Sequence, residues 1–202
     1  DDTEYTAKGL EKLGVHVFWE GGLLRILGRG GSLKSGGAKI YVGNSGSSMR
    51  FLTALAALKN GRTLLDGSER MRQRPMAQLL DGLVALGVRA YSQEGNGCPP
   101  VIVESQGLRG GTVKIDGAES SQFISALLMA APCGEGDLAL TVSPPPGSRS
   151  YLDLTAEVMS AFGAGPEREG YTRFRVWAGT GYRGRADRIG GGFSSASRLL
   201  AR

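Results

Sequence analysis

The chain has 202 residues, a formal net charge of +5 and 41% hydrophobic residues, enough for a substantial core and ordinary for a globular protein. No apolar run approaches the roughly 20 residues of a membrane-spanning helix, and no signal-peptide pattern is visible. Two cysteines, Cys98 and Cys133, make neither a disulfide framework nor a metal site, so a reducing, cytoplasmic setting is the expectation. Arginines gather only between Arg168 and Arg188, without a zinc-finger, helix-turn-helix or aromatic RNA-binding pattern. A small anionic ligand therefore accounts for the surplus charge better than a nucleic acid.

In chain order, the first pattern is an amphipathic run ending at Leu13-Gly14, where glycine takes a left-handed C-cap. A strand follows at Val15-His16-Val17, and the single histidine reads as a strand residue rather than a catalytic one. Gly43-Asn44-Ser45-Gly46-Ser47-Ser48-Met49-Arg50 predicts a strand end opening a helix. Asn44 and Ser45 are capping types, Gly46 lets a ligand approach the backbone, and Arg50 lies one turn inside. Arg70, Arg72 and Arg74 alternate, which places them on one side if the segment is extended. Pro75 suits the first turn of the next helix. Guanidinium groups fit bidentate binding of carboxylate or phosphate, although a solvated loop with surface ion pairs would use the same residues.

That helix ends at Leu86-Gly87, and residues 88–92 and 101–104 read as a hairpin around Gly95-Asn96-Gly97. Ser120-Ser121-Gln122 opens a helix whose residues 123–131 are almost uniformly apolar, which demands burial. Ser120 alone would explain this start as a simple N-cap. The loop Ser143-Pro144-Pro145-Pro146-Gly147-Ser148 fixes the positions of Ser148 and Tyr151 ahead of a helix over 152–162. Residues 164–168 and 171–176 form a last hairpin, and Gly190-Gly191-Gly192-Phe193-Ser194-Ser195 opens another Ser-Ser pair.

Two series recur through this order. Ser47, Ser120 and Ser194 stand 73 and 74 positions apart, and Gly14, Gly87 and Gly163 each close a helix. Such spacing indicates a repeated unit: strand, Ser-Ser helix, strand, Gly-ended helix, hairpin. The expectation is one α/β domain over 1–202, made of three pseudo-repeats with the first incomplete. Its Ser-Ser helix starts offer backbone N–H groups and hydroxyls to anions. No HExxH, GxSxG or P-loop pattern accompanies them, so the chain shows binding chemistry and little proton-transfer chemistry.

The segments 43–50, Arg70-Met71-Arg72-Gln73-Arg74-Pro75 and 116–132, with the opening Asp1-Asp2-Thr3 and the closing Ser194-Ser195-Ala196-Ser197, resemble the 5-enolpyruvylshikimate-3-phosphate synthase family in order and over essentially the whole chain. The resemblance implies a domain of threefold βαβαββ repeats, helices inside and sheets outside, in an inverse α/β barrel-like arrangement. It implies transfer of the enolpyruvyl group of phosphoenolpyruvate to shikimate 3-phosphate in aromatic amino acid biosynthesis, without metal or organic cofactor, and inhibition by glyphosate. Ser120, Ser121, Gln122, Ser148 and Tyr151 are then expected to contact shikimate 3-phosphate. Asn44, Gly46, Arg74 and Gln122 are expected at phosphoenolpyruvate, with Gln122 and Arg74 at the reacting centre and Asn44 and Arg50 supporting the loop.

A methyl on Gly46 should intrude on the longer glyphosate. The family's Gly-Ser-Lys-Ser segment and its other domain, the C-terminal one, have no counterpart here, so the residues are expected to form a substrate half-site without turnover. Phe51 stands where many members have proline, and Gly192-Phe193 replaces an Asp-Ala at the hinge. Outside this reading, a stand-alone binding module for phosphorylated small molecules and a UDP-sugar enolpyruvyl transferase are the alternatives.

Overall fold

The computed structural model describes residues 2–186, so the third Ser-Ser pair and the Gly192-Phe193 departure lie outside the described residues. Helix α1 (Asp2–Lys12) leads into a hairpin of β1 (His16–Glu20) and β2 (Leu23–Leu27). Next come β3 (Ala38–Tyr41), α2 (Gly46–Ala56), β4 (Gly61–Asp66), α3 (Ala77–Ala85), β5 (Arg89–Ser92) and β6 (Val101–Ser105). The same succession follows as β7 (Gly111–Ile115), α4 (Ser121–Ala130), β8 (Leu138–Val142), α5 (Arg149–Ala161), β9 (Glu167–Glu169) and β10 (Arg173–Val176).

The two four-stranded sheets share one strand order, β3-β4-β6-β5 and β7-β8-β10-β9. In each, the first two strands are parallel and the hairpin returns antiparallel. Parallel neighbours require a crossover, and α2 and α4 supply it. The strand–helix–strand–helix–hairpin unit read from the repeat is thus present twice, and α1-β1-β2 has the form of its second half.

The Gly-ended helices obey one rule. Gly14, Gly87 and Gly163 have φ of 89°, 84° and 86°. In each case the following residue donates back five positions, from Val15 to Leu10, Val88 to Leu83 and Ala164 to Met159, at 3.0, 3.0 and 2.9 Å. This closes orphan carbonyls with a conformation only glycine adopts cheaply. Helices α2 and α4 lie inside, whereas α1 and α5 are largely exposed. Phe123, Ile124, Leu127 and Leu128 of α4 are buried among Leu52, Leu65, Leu83 and Leu152, while strands such as β10 alternate buried and exposed residues.

Three local expectations change. Met71–Gln73 forms a 3-10 turn, so Arg70, Arg72 and Arg74 do not share one extended side. Pro75 precedes the helix it was expected to start, because Met76 is the N-cap residue of α3. Helix α5 begins at Arg149, which puts Ser148 at its N-cap position and Tyr151 in its first turn.

Leu127 is fully buried and approaches Gly82 of α3. Leu127→Ala should therefore lower unfolding free energy by about 2–5 kcal/mol, read from urea unfolding; a loss below about 0.5 kcal/mol would show that α4 is not the packed centre.

Candidate functional site

Parallel pairing decides where the helices start. Because β3 and β4 run parallel, α2 and the loop into α3 both leave the same edge of their sheet. Likewise β7 and β8 send α4 and α5 from one edge of the other sheet. The carboxyl ends of parallel strands are where ligands of α/β sheets bind, and helix N-termini add unpaired N–H groups and a positive field. The two edges meet: Gln122 Nε2 of α4 donates to Ser47 Oγ of α2 at 3.1 Å.

At the α2 start, Ser45 is the N-cap and its hydroxyl accepts from Ser48 N. The two hydroxyls bond at 2.7 Å, and Ser48 is also bonded to Thr6 Oγ1 and donates to Asp2 O, which docks α1 against this turn. The Ser47-Ser48 pair therefore lies inside the first turn, whereas Ser120 of the matching pair caps α4 and accepts from Gln122 N at 3.2 Å. Asn44 is exposed and its side chain makes no hydrogen bond, so Ser45, Ser48 and Arg50 hold this turn in its place.

Arg50 is 3% exposed. Its Nη1 donates to Gly46 O at 3.2 Å and its Nη2 to Pro75 O at 3.1 Å, while Nε has no partner. Among the described residues no carboxylate pairs with Arg50 or Arg74. Burial, and then the neighbouring Arg74 charge, push the Arg50 guanidinium down to about 10. Two cations side by side without a counter-ion in a partly desolvated setting favour an incoming anion.

Arg74 lies against Gly46. A methyl built on Gly46 would meet Arg74 Nη1 and stand 2.8 Å from Arg74 Cζ and Arg50 Nη1. Beside its expected intrusion on the ligand, such a methyl would therefore meet the Arg74 guanidinium. Arg72 turns away and grips Asp66 in a bidentate pair, Nε to Oδ1 at 2.9 Å and Nη2 to Oδ2 at 2.6 Å. Arg72 chiefly, with a smaller contribution from the Gly67 N–H, holds the Asp66 carboxyl below the usual carboxylate range.

Around α4, the Ser121 hydroxyl has no bonded partner and is nearly buried. Gln78 of α3 braces the preceding loop, accepting from Asp116 N at 2.8 Å and donating to Glu119 at 2.5 Å. The proline loop packs over Gly117, whose absent side chain leaves room for Pro144 O and Pro146 N. Ser125 and Thr155 bond at 2.8 Å; one turn earlier on each helix stand Ser121 and Tyr151. Ser148 and Tyr151 are exposed, Tyr151 at 60%, and neither side chain makes a hydrogen bond.

The structure thus gathers Gly46, Arg74, Ser120, Ser121 and Gln122 closely and sets Ser148 and Tyr151 on the adjoining helix start. Sequence reading missed the supports Asp2, Thr6 and Gln78. Asp2 acts through its carbonyl, and a glutamine on an amphipathic helix carries no signal of its target. A depression of about 370 Å³ lined by Asn60, Gly87, Arg89 and Arg109 lies apart from this cluster, and there Arg89 is already paired with Glu104 at 2.7 Å. Among the described residues no three metal-ligating side chains cluster, and no helix is long and apolar enough to cross a membrane.

The profile of the family described as EPSP synthase (3-phosphoshikimate 1-carboxyvinyltransferase) matches residues 1–202. The chain belongs to the EPSP synthase family. A 3-phosphoshikimate 1-carboxyvinyltransferase of Methanoculleus marisnigri is 48% identical over 201 residues, covering 99% of this chain and 47% of the relative. One of Methanoregula boonei is 42% identical, covering all of this chain and 48% of the relative.

The chain therefore spans about half the length of the relatives it matches. An EPSP synthase structure from Acinetobacter baumannii superposes with a TM-score of 0.75 at 25% identity, over 90% of this chain and 40% of that one. The enolpyruvyl transferase NikO from Streptomyces tendae shares the fold at a TM-score of 0.58 and 17% identity, over 90% of this chain and 42% of that one. The mixed helix-and-sheet fold expected from the family is the one observed.

Two expectations follow from this geometry. Gly46→Ala should weaken inorganic phosphate binding as much as Arg74→Ala does, and the double variant no further, in calorimetric titration; additive losses would separate the two residues. Asp66 has a folded pKa below its unfolded one, so its stabilisation is present above the ordinary carboxylate range and is lost as pH falls through the lowered folded value. Arg72→Ala should return Asp66 toward the ordinary range in a carboxyl NMR titration, and an unchanged midpoint would contradict the pairing.

Proposed function

We propose that these residues form a single substrate-binding domain of a 3-phosphoshikimate 1-carboxyvinyltransferase, acting in the shikimate pathway. The observation that carries the proposal is the Gln122–Ser47 bond, which joins an unpaired arginine pair to a serine-rich helix start in a chain matched throughout by that family. Shikimate 3-phosphate sits at the start of α4. Its phosphate takes the Ser121 N–H, the first of the helix, and the hydroxyls of Ser120 and Ser121. The Ser120 hydroxyl accepts from Gln122 N and keeps its own proton to donate. Ser148 and Tyr151 close on the same ligand from α5.

Phosphoenolpyruvate, or glyphosate in its place, lies between Gly46 N–H and the Arg74 guanidinium, with Arg50 adding charge from behind and Asn44 at the rim. Gln122 stands between the two ligands and orients them. The general acid and base belong to the family's second domain, so the 202 residues alone bind without turning over. A cytoplasmic setting and a cofactor-free reaction complete this reading.

Titration calorimetry tests it. Shikimate 3-phosphate should bind, and Ser121→Ala should cost about 1.5–3 kcal/mol, the range for hydrogen bonds to charged groups. Binding of a UDP-sugar in its place, or product formation by the 202 residues alone, would overturn the assignment.

A further inference from the structure

Three serines crowd the α2 start, and two are used up locally. Ser45 caps the helix and bonds Ser48, and Ser48 is tied to Asp2 and Thr6 of α1. Ser47 is different. It is half-buried, and its hydroxyl is bonded to another unit altogether, accepting from Gln122 Nε2 at 3.1 Å across 75 residues of sequence. Gln122 is consequently fixed at two points, its backbone N–H by Ser120 at 3.2 Å and its side-chain amide by Ser47.

An amide has two ends with opposite chemistry. With Nε2 held at Ser47, Oε1 and the second Nε2 proton remain for a ligand. A free glutamine side chain would sample several rotamers and both amide orientations, and binding would have to freeze them. Fixing them beforehand lowers that cost. We infer that Ser47 is a positioning residue: it pre-orients the Gln122 side chain for the substrate, and it ties the α2 and α4 starts into one site. The inference rests on the substrate reading proposed above.

The test uses the full encoded protein and four variants: Ser47→Ala, Ser47→Thr, Gln122→Ala and the double variant Ser47→Ala with Gln122→Ala. Two readouts apply: shikimate 3-phosphate affinity by calorimetry, and solvent exchange of the Gln122 side-chain amide protons by NMR without ligand. Ser47→Ala should weaken binding by about threefold to tenfold, the worth of one net hydrogen bond, and speed the amide exchange. Ser47→Thr keeps the hydroxyl and should restore both. In the Gln122→Ala background, Ser47→Ala should cause no further loss. Unchanged affinity, or an equal loss in that background, would overturn the inference. If the unaltered protein fails to bind shikimate 3-phosphate, the functional reading falls, and amide exchange still decides: a rate unaffected by Ser47→Ala overturns the positioning role, and a faster one supports it.

Discussion

Arg50 holds a guanidinium in the protein interior with two backbone carbonyls as its partners and no carboxylate within reach among the described residues. A buried cation of this kind is expensive unless compensated. Gly46 O and Pro75 O compensate part of it, and in doing so they clamp the start of α2 to the loop that carries Arg74. That clamp sets the spacing between a helix N-terminus and a second guanidinium. In the proposed reading the residual unfavourable charge makes the cleft receptive: an anion entering beside Arg74 would relieve a repulsion the fold already contains.

The topology delivers the remaining parts to the same place. In each four-stranded sheet a parallel strand pair sends both of its helices from one edge, so the starts of α2 and α4 and the loop with Arg74 gather without long, strained connections. Apolar burial of α4 on nearly every side keeps its axis fixed, and its exposed functional atoms are confined to its first turn. The polar ends are braced in turn by α1 through Ser48 and by α3 through Gln78. Rigid elements thus carry the groups of α2 and α4 that are proposed to face the ligands.

Much of this was legible in the residues. The repeat predicted the unit, because Gly14, Gly87 and Gly163 each need a left-handed conformation that marks a helix end unambiguously. Uniform apolarity over 123–131 marked a buried helix. The capping pattern located both helix starts, with Ser45 the N-cap of α2, but left the roles of Ser45, Ser47 and Ser48 unseparated, since they are chemically alike and only tertiary contacts tell them apart. The alternation of Arg70, Arg72 and Arg74 misled because Asp66, a strand-end carboxylate six residues away, captures Arg72 and favours a tight turn. Arg50 was expected one turn inside α2 as a support of the loop, and its lack of a counter-ion became visible only with its surroundings in place.

The central claim is that two adjoining helix starts, linked through Gln122, receive two different anions. Backbone amide NMR of the protein, titrated first with shikimate 3-phosphate and then with phosphoenolpyruvate, tests it most directly. The account predicts that the first ligand moves the resonances of 120–122 and 148–151, and that the second moves those of Gly46 and Arg74. Shifts confined to the depression around Asn60, Gly87 and Arg89, or the same residues responding to both ligands with Gly46 and Arg74 unmoved, would contradict it.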